Sequence, residues 1–187
     1  MNDIIKKLEE NPIIAAIRDE KDIDTAIEAS INTIFLLKAD IFNIKRMIEK
    51  IKHSRKNVFV HLDFLEGIGK DHKAIDYIAQ EIKPDGIITT SSSHIKYAKQ
   101  QGLFTIQRFF MVDSLSYETT VRTINSVSPD MLEVMPGVIP GVLSRLNEII
   151  KVPVIAGGLV TSKDEIIQIL KAGALGVSTG KKDLWIL

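Results

Sequence analysis

The segment PVIAGGLVTSKDEIIQILKAGALGVSTG, residues 153–180, contains two short apolar runs, each followed by a turn of small residues. The runs 154–156 and 174–177 have the composition of strands that are buried on both faces of a parallel sheet. Between them, isoleucines and leucine at helical spacing predict a helix whose N-cap is Thr161 or Ser162. The segment therefore predicts a strand, a turn, a helix, a second strand and a second turn.

The two turns, Gly157-Gly158 and Ser178-Thr179-Gly180, have the composition of a phosphate site. An oxyanion with two charges needs several donors at once, and backbone N–H groups of glycine turns and of a helix N-terminus supply them. Many eight-stranded barrels bind phosphate after strands seven and eight. The alternative is that these glycines only permit tight turns between strands and helices.

The same alternation of apolar run and amphipathic helix extends over the chain, which predicts eight strand–helix units. The predicted strands are 13–17, 33–37, 58–62, 86–88, 103–108, 131–134, 154–156 and 174–177. We therefore expect a single domain over residues 1–187 with an α/β fold, a compact (β/α)₈ TIM-barrel-like structure with a shortened last helix. The alternative fold is an open doubly wound sheet, which usually carries its phosphate loop after strand one.

Only seven residues follow the last predicted turn, so a full eighth helix is not expected. Trp185, Ile186 and Leu187 either plug the resulting gap or form a subunit contact.

Composition restricts the function classes. The 187 residues include no cysteine, which excludes disulfides and thiolate chemistry and suits a cytoplasmic location. The formal net charge is zero, whereas general nucleic-acid binders are usually basic. No apolar run approaches the roughly 20 residues of a membrane span, and the polar N-terminus does not read as a signal peptide, so we expect no membrane partner.

Polar side chains at the predicted C-terminal ends of the strands are the candidate ligand-binding set, because the sites of such barrels lie at that end. Besides the two small-residue turns, the set consists of Arg18, Lys38, His61, Asp63, Arg108 and Glu133. Cations would neutralise an anion and carboxylates would accept hydrogen bonds from hydroxyls, which points to a small anionic polyol.

Catalysis and metal binding have weaker support. His61 and Asp63 are spaced so that both side chains would point the same way from an extended strand, as in an acid–base pair or a structural hydrogen bond. A metal site from Asp63, Glu66 and His61 matches no strong signature. No lysine occupies an obvious Schiff-base position inside a strand. We therefore predict no catalytic residue, no metal and no cofactor.

Several segments together resemble the glycerol uptake operon antiterminator regulatory protein family. They are NPIIAAIRD (11–19), VFVHLDFLEGIGKD (58–71), DGIITT (85–90), IKYAKQQGLFTIQRFFMVDS (95–114), DMLEVMPGVIP (130–140) and PVIAGGLV (153–160). The resemblance implies a non-enzymatic regulator with sn-glycerol 3-phosphate as effector and leader mRNA of glycerol genes as partner. Such a protein prevents transcription termination and stabilises the transcript.

One departure from that pattern is the turn Ser91-Ser92-Ser93, where a basic residue is expected, with Lys96 one turn further on. Two other functions stay open: a barrel enzyme acting on a small phosphorylated polyol or sugar, and a phosphate-binding scaffold with no RNA partner.

The candidate RNA contacts are the basic residues around one predicted helix, which could bind phosphates in a salt-dependent manner. They are Lys45, Arg46, Lys50, Lys52, Arg55 and Lys56. A solvated helix face is the alternative. Phe109 and Phe110 are expected in the core or an interface rather than stacked on bases. We expect a homo-oligomer, since a second copy would double the basic patch.

Overall fold

Eight parallel strands form a closed barrel in the computed structural model, which describes residues 2–187, with side chains from residue 3 onward. Each strand pairs with the next along the chain, and the last returns to the first, so that Val177 lies opposite Ile13. The strands are β1 (Ile13–Ile17), β2 (Thr33–Leu36), β3 (Asn57–His61), β4 (Gly86–Thr89), β5 (Phe104–Phe110), β6 (Met131–Met135), β7 (Val154–Gly157) and β8 (Gly176–Thr179). The predicted (β/α)₈ barrel is confirmed, and the open sheet is wrong because β8 closes on β1.

Helices alternate with the strands, as the apolar periodicity predicts. They are α1 (Asn2–Glu10), α2 (Ile23–Glu28), α3 (Ile44–His53), α4 (His72–Tyr77), α5 (Ser92–Gln100), α6 (Ser114–Val127), α7 (Pro140–Ile149) and α8 (Lys163–Lys171). Ser162, not Thr161, is the N-cap of α8: its Oγ accepts from the Glu165 N–H at 3.3 Å, and the Glu165 carboxylate accepts from the Ser162 N–H at 3.0 Å. No helix within residues 2–187 is long and apolar enough to span a bilayer.

Large apolar side chains fill the lower part of the barrel, because alternate residues of each strand point inward. Phe35, Phe59 and Phe104 pack edge to face across the interior, with ring centroids 5.7 Å apart in both pairs. Helix α1 covers the N-terminal end of the barrel, and Leu8 is buried against this interior cluster. The lower interior is therefore a packed core, and only the C-terminal end is open for a site.

A 3₁₀ turn, Lys182–Leu184, follows β8 in the place of a full helix, in agreement with the predicted shortened last helix. Trp185 follows it with 1% of its surface exposed, and its indole N–H donates to the carbonyl oxygen of Thr179 at 2.9 Å. Ile186 is 73% exposed. Of the three C-terminal residues 185–187, Trp185 is the one that fills the gap in the outer layer, next to the buried Leu184.

Several strand ends differ from those expected, and the differences lie next to the barrel mouth. Strand β8 runs to Thr179, so Ser178 and Thr179 belong to a strand and not to the predicted turn. Strand β3 ends at His61, and Leu62–Phe64 form a 3₁₀ turn. Polar side chains extend strands here because the barrel itself supplies partners for them: the Ser178 hydroxyl donates to Glu133 at 2.8 Å.

Candidate functional site

A buried network of three polar side chains forms the floor of the barrel mouth. Arg108 on β5 donates from Nε to Oε2 of Glu133 on β6 at 2.7 Å, and Ser178 on β8 donates to Oε1 of the same carboxylate. Arg108 is 5% exposed and Glu133 is fully buried. Both carboxylate oxygens are thus occupied, and Glu133 fixes the orientation of the guanidinium. None of the described residues accepts a hydrogen bond from the two terminal nitrogens of Arg108.

Gly157 leaves the room that this network needs. A Cβ atom at this position would lie 2.0 Å from Oγ of Ser178 and 2.9 Å from Oε1 of Glu133. Any side chain at Gly157 would therefore displace the hydroxyl and the carboxylate that hold Arg108 in place.

A cavity of about 390 Å³ lies above this floor, and the two predicted phosphate turns both line it. We call it the glycine cavity. Gly158 and Leu159 form one edge with left-handed backbones (φ +78° and +62°), and Gly180 lies on the other. A non-glycine residue with positive φ is uncommon, so the conformation of Leu159 marks a backbone that the fold holds in an unusual shape.

Thr179 lines the glycine cavity and also connects these two turns. Its hydroxyl donates to the carbonyl oxygen of Val160 at 3.0 Å and accepts from the N–H of Lys181 at 3.1 Å. A side chain at Gly158 would be strained, since its φ is positive and a Cβ would lie 2.6 Å from Cε of Met135. Gly180 differs, because a Cβ there meets only the Ala16 carbonyl oxygen at 3.5 Å.

A second cavity of about 580 Å³ adjoins the first and shares Arg18, Leu37 and Arg108 with it. We call it the aromatic cavity, because the exposed ring of Phe64 forms part of its wall. Lys70 also lines it, as does Lys38, whose amine lies 3.3 Å from the Glu66 carboxylate. Phe64, Lys70 and Leu159 are among the lining residues that were not predicted from the sequence. Each lies in a loop that follows a predicted strand, which is the signal that could have identified them.

His61 and Asp63 lie near each other but do not form the expected pair. Asp63 lies in the 3₁₀ turn and not in an extended strand, so the spacing argument for parallel side chains is wrong. Its carboxylate accepts from the Thr89 hydroxyl at 2.6 Å, and from the N–H and the hydroxyl of Thr90 at 2.9 and 3.0 Å. Burial raises the pKa of Asp63, but these hydrogen bonds outweigh burial and hold it below its usual value.

His61 points into the barrel and is 1% exposed. Neither ring nitrogen has a hydrogen-bond partner within the described part of the chain. Burial, reinforced by the Arg108 charge, lowers the pKa of His61 to about 4, so the imidazole is neutral at pH 7. Its ring lies under that of Phe64, with the two centroids 4.4 Å apart. Among residues 2–187, no group of three or more histidines and acidic residues is placed to hold a metal ion.

The basic residues in and after α3 are exposed except for the half-buried Lys56, and four of the six are paired with carboxylates. Arg46 and Lys50 lie 2.6 Å from Glu20 and Asp24. The other two ion pairs are Lys45–Glu81 at 4.0 Å and Lys52–Asp85 at 3.4 Å.

The remaining two basic residues follow α3. The Lys56 amine donates to the carbonyl oxygens of Ala29 and Ile31, and burial lowers its pKa. Arg55 is exposed with a left-handed backbone. RNA binding by this patch stays a prediction.

The serine turn after β4 is hydrogen-bonded within the protein. Oγ of Ser92 accepts from the Gln107 side chain at 3.0 Å, and the hydroxyls of Ser91 and Ser93 lie 2.9 Å apart. Phe109 is partly buried against the core, whereas Phe110 is 52% exposed.

The sequence model described as "Glycerol-3-phosphate responsive antiterminator" matches residues 13–185. A Listeria monocytogenes structure described as a glycerol uptake operon antiterminator regulatory protein is 35% identical, covers 94% of this chain and 95% of that one, and superposes with a TM-score of 0.90. A Thermotoga maritima structure described as glycerol uptake operon antiterminator-related is also 35% identical, covers 94% and 98%, and gives a TM-score of 0.84.

Escherichia coli K12 has a relative, YgcP, that is 35% identical over 184 residues, covering 98% of this chain and 96% of its own. Barrel enzymes share the fold alone. The deoxyribose phosphate aldolase of Aeropyrum pernix, for example, is 14% identical, covers 99% of this chain and 95% of its own, and has a TM-score of 0.72.

Proposed function

The chain belongs to the glycerol-3-phosphate responsive antiterminator family, and on that premise we propose that it binds sn-glycerol 3-phosphate in the glycine cavity and, when liganded, binds leader mRNA of glycerol genes. RNA binding would prevent termination and stabilise the transcript. The protein acts in this proposal as a regulator and not as an enzyme.

The observation that supports the effector site most directly is the geometry of Arg108. Its Nε is held by Glu133, while its terminal nitrogens keep their donors for a ligand in the cavity above. A guanidinium with a fixed orientation binds a phosphate through two parallel hydrogen bonds. Arg18 adds a second cation to the same cavity, and the backbone around Gly158 and Gly180 approaches the ligand closely.

The effector acts in this proposal by population shift. Phosphate bound between the turns after β7 and β8 would hold both loops in one arrangement, and RNA would prefer that arrangement. Binding of the two ligands is then reciprocal, so RNA raises the affinity for the effector by the same factor as the effector raises the affinity for RNA.

Gly180→Asp tests the effector site. It places a carboxylate in the glycine cavity without backbone strain, because a Cβ at Gly180 has only an ordinary contact. We expect calorimetry to show loss of sn-glycerol 3-phosphate binding by at least about tenfold, since a like charge faces the phosphate. Gly180→Ala is the matched control and keeps the affinity within about threefold. Equal binding by the Asp variant would place the phosphate elsewhere.

The RNA half of the proposal is tested with leader RNA transcribed from a glycerol operon, with and without sn-glycerol 3-phosphate. Binding that strengthens with effector and weakens with salt is expected. If the protein binds no RNA with or without the effector, while the effector itself still binds, the protein would be a phosphate-binding scaffold.

An enzyme acting on a small phosphorylated polyol or sugar is the second candidate function, and the observation that favours it is the buried His61 with two unpartnered ring nitrogens beside the mouth. Turnover of a phosphorylated triose or pentose by the wild-type chain, lost in His61→Gln, would establish it. Against it, Glu133 and Asp63 are saturated by internal hydrogen bonds. We expect no turnover.

A further inference from the structure

We propose that the aromatic cavity is where the RNA docks, with one nucleobase stacked on Phe64 and the adjoining phosphates against Arg18 and Lys70. The assignment rests on the proposed function, because RNA as partner comes from there. It places the RNA at the mouth of the barrel beside the effector, and not on α3.

Phe64 has the features of a stacking platform. The ring is 55% exposed, and the buried His61 ring supports it from inside the barrel at a centroid distance of 4.4 Å and an angle of 33°. One face of the phenyl group is thus backed by protein, and the ring is free to stack toward solvent. Stacking on such a ring tolerates any base, because every base has a π-face.

The turn that carries Phe64 is rigidly attached to the barrel. Asp63, its neighbour, accepts three hydrogen bonds from Thr89 and Thr90 at the end of β4. A platform fixed before binding loses little conformational entropy when a base stacks on it. These contacts give the Asp63 carboxylate a structural role.

Two cations of the aromatic cavity are available for phosphates. Neither Arg18 nor Lys70 has a carboxylate within 4.0 Å among the described residues, although both are exposed and line this cavity. In contrast, an RNA that docked on α3 would have to compete with the carboxylates of Glu20, Asp24, Glu81 and Asp85. Proteins that bind single-stranded nucleic acid combine cations for the phosphates with exposed rings on which the bases stack.

The shared wall of the two cavities explains how the effector could favour RNA. Arg18 lines both cavities and is exposed. A long exposed side chain loses rotamer freedom when a phosphate holds it, so an effector that binds Arg18 would bear that entropy cost before the RNA arrives. The RNA would then lose less entropy on binding, which gives positive coupling without a large rearrangement.

The test measures the affinity of a glycerol-operon leader RNA at saturating sn-glycerol 3-phosphate. We expect Phe64→Leu to weaken RNA binding by about tenfold, whereas Phe64→Trp keeps it within about threefold, because stacking needs an aromatic ring and not an apolar one. Tyr77→Leu is the control for the loss of an exposed ring elsewhere. All of these variants should bind the effector normally in calorimetry.

The contact between Lys70 and an RNA phosphate is tested through the salt dependence of the RNA affinity. Lys70→Gln should lower the slope of log affinity against log salt concentration by about 0.7, the value for one phosphate contact on a single strand. Lys151→Gln, an exposed lysine at the other end of the barrel, should leave the slope unchanged. Lys45→Gln with Lys50→Gln tests the α3 patch in the same assay.

The outcomes separate the two levels of the proposal. If the wild-type chain shows no effector-dependent RNA binding, the proposed function and this assignment both fall. If the wild-type binds RNA but Phe64→Leu and Lys70→Gln bind it equally well, only the assignment is overturned. Weakening by the α3 variants alone, or equal loss by Phe64→Leu and Phe64→Trp, would also overturn it.

Discussion

Arg108 and Glu133 depend on each other because both charges are buried under the barrel mouth. Removal of one partner from such a pair leaves an uncompensated buried charge, at a cost of about 3–5 kcal/mol. We therefore expect Arg108→Gln to lower the free energy of unfolding by about that amount, measured by urea denaturation. The double variant Arg108→Gln, Glu133→Gln should recover a large part of the loss, and failure to recover any would contradict the pairing argument.

His61 gives the protein a predicted loss of stability in mild acid. Its pKa is about 4 in the folded protein against 6.5 for the free side chain. Between these values the unfolded chain binds a proton that the folded protein does not, so lowering the pH favours unfolding. Stability should therefore be fully present above pH 6.5 and fall by up to about 1.4 kcal/mol per pH unit toward pH 4.

Urea denaturation at several pH values checks this prediction, with His61→Gln as the comparison. The variant lacks the titrating ring, so its stability should change much less over that window. Asp63 contributes in a lower window, because its lowered pKa preserves stability until the pH falls below its usual value of 3.8. Identical profiles for wild-type and variant would show that His61 is solvated in the folded protein.

At the scale of single residues, several charged residues of the barrel mouth could be predicted from the sequence, but their contacts could not. Arg18, Arg108 and Glu133 follow from their positions at strand ends. The pairing of Arg108 with Glu133 does not, because it requires the register in which these residues lie opposite each other on β5 and β6. The hydrogen-bond partners of Asp63 could not be predicted from the sequence either, since they lie at the end of the next strand, 26 and 27 residues away.

At the scale of elements, the C-terminal 3₁₀ turn is followed by one large buried ring, that of Trp185. Trp185→Ala should lower the free energy of unfolding by about 3–5 kcal/mol, since it removes a buried ring and its hydrogen bond to Thr179. Thermal or urea unfolding measures the loss. Ile186→Ala is the control, and as an exposed neighbour it should stay within about 0.5 kcal/mol of wild-type.

The helices were more predictable than the strand ends. Helix α6 shows why: Asp113 is its N-cap, and the N–H and side chain of Asp113 exchange hydrogen bonds with Ser116. Strand β8 begins and ends two residues later than expected. Composition suggested that the strand stops where polar residues begin, whereas in a barrel polar side chains continue the strand when an inward neighbour accepts their hydrogen bonds.

At the scale of the whole molecule, self-association stays a prediction. Phe110, Val112 and Leu115 are 52%, 79% and 65% exposed and lie together at the start of α6. Exposed apolar clusters of this kind mark interaction surfaces. We expect sedimentation to show a concentration-dependent oligomer that Leu115→Lys weakens, with Ile149→Lys as an exposed control on α7. A protein that stays monomeric with and without effector and RNA would contradict the prediction of self-association.

The fold as a whole could be read from the sequence because eight apolar runs alternate with eight helical patterns, and small residues follow the last two runs. What the sequence could not provide is the division of the mouth into two cavities. That division depends on where the side chains of Leu37, Arg18 and Arg108 stand between loops that are distant in the chain.

The tight space at Gly157 has a consequence for how this protein can diverge. A methyl group there collides with the hydroxyl of Ser178 and with the carboxylate of Glu133. The order in which the three positions are substituted therefore matters. Loss of the hydroxyl has to come first, and only then does a larger residue at position 157 become tolerable. Mutations at these sites should thus show epistasis, with Gly157→Ala harmful in this background and nearly neutral in one that already carries Gly at position 178 and a shorter residue at 133. Lineages that have taken that route would hold their arginine differently, and with it whatever anion they recognise.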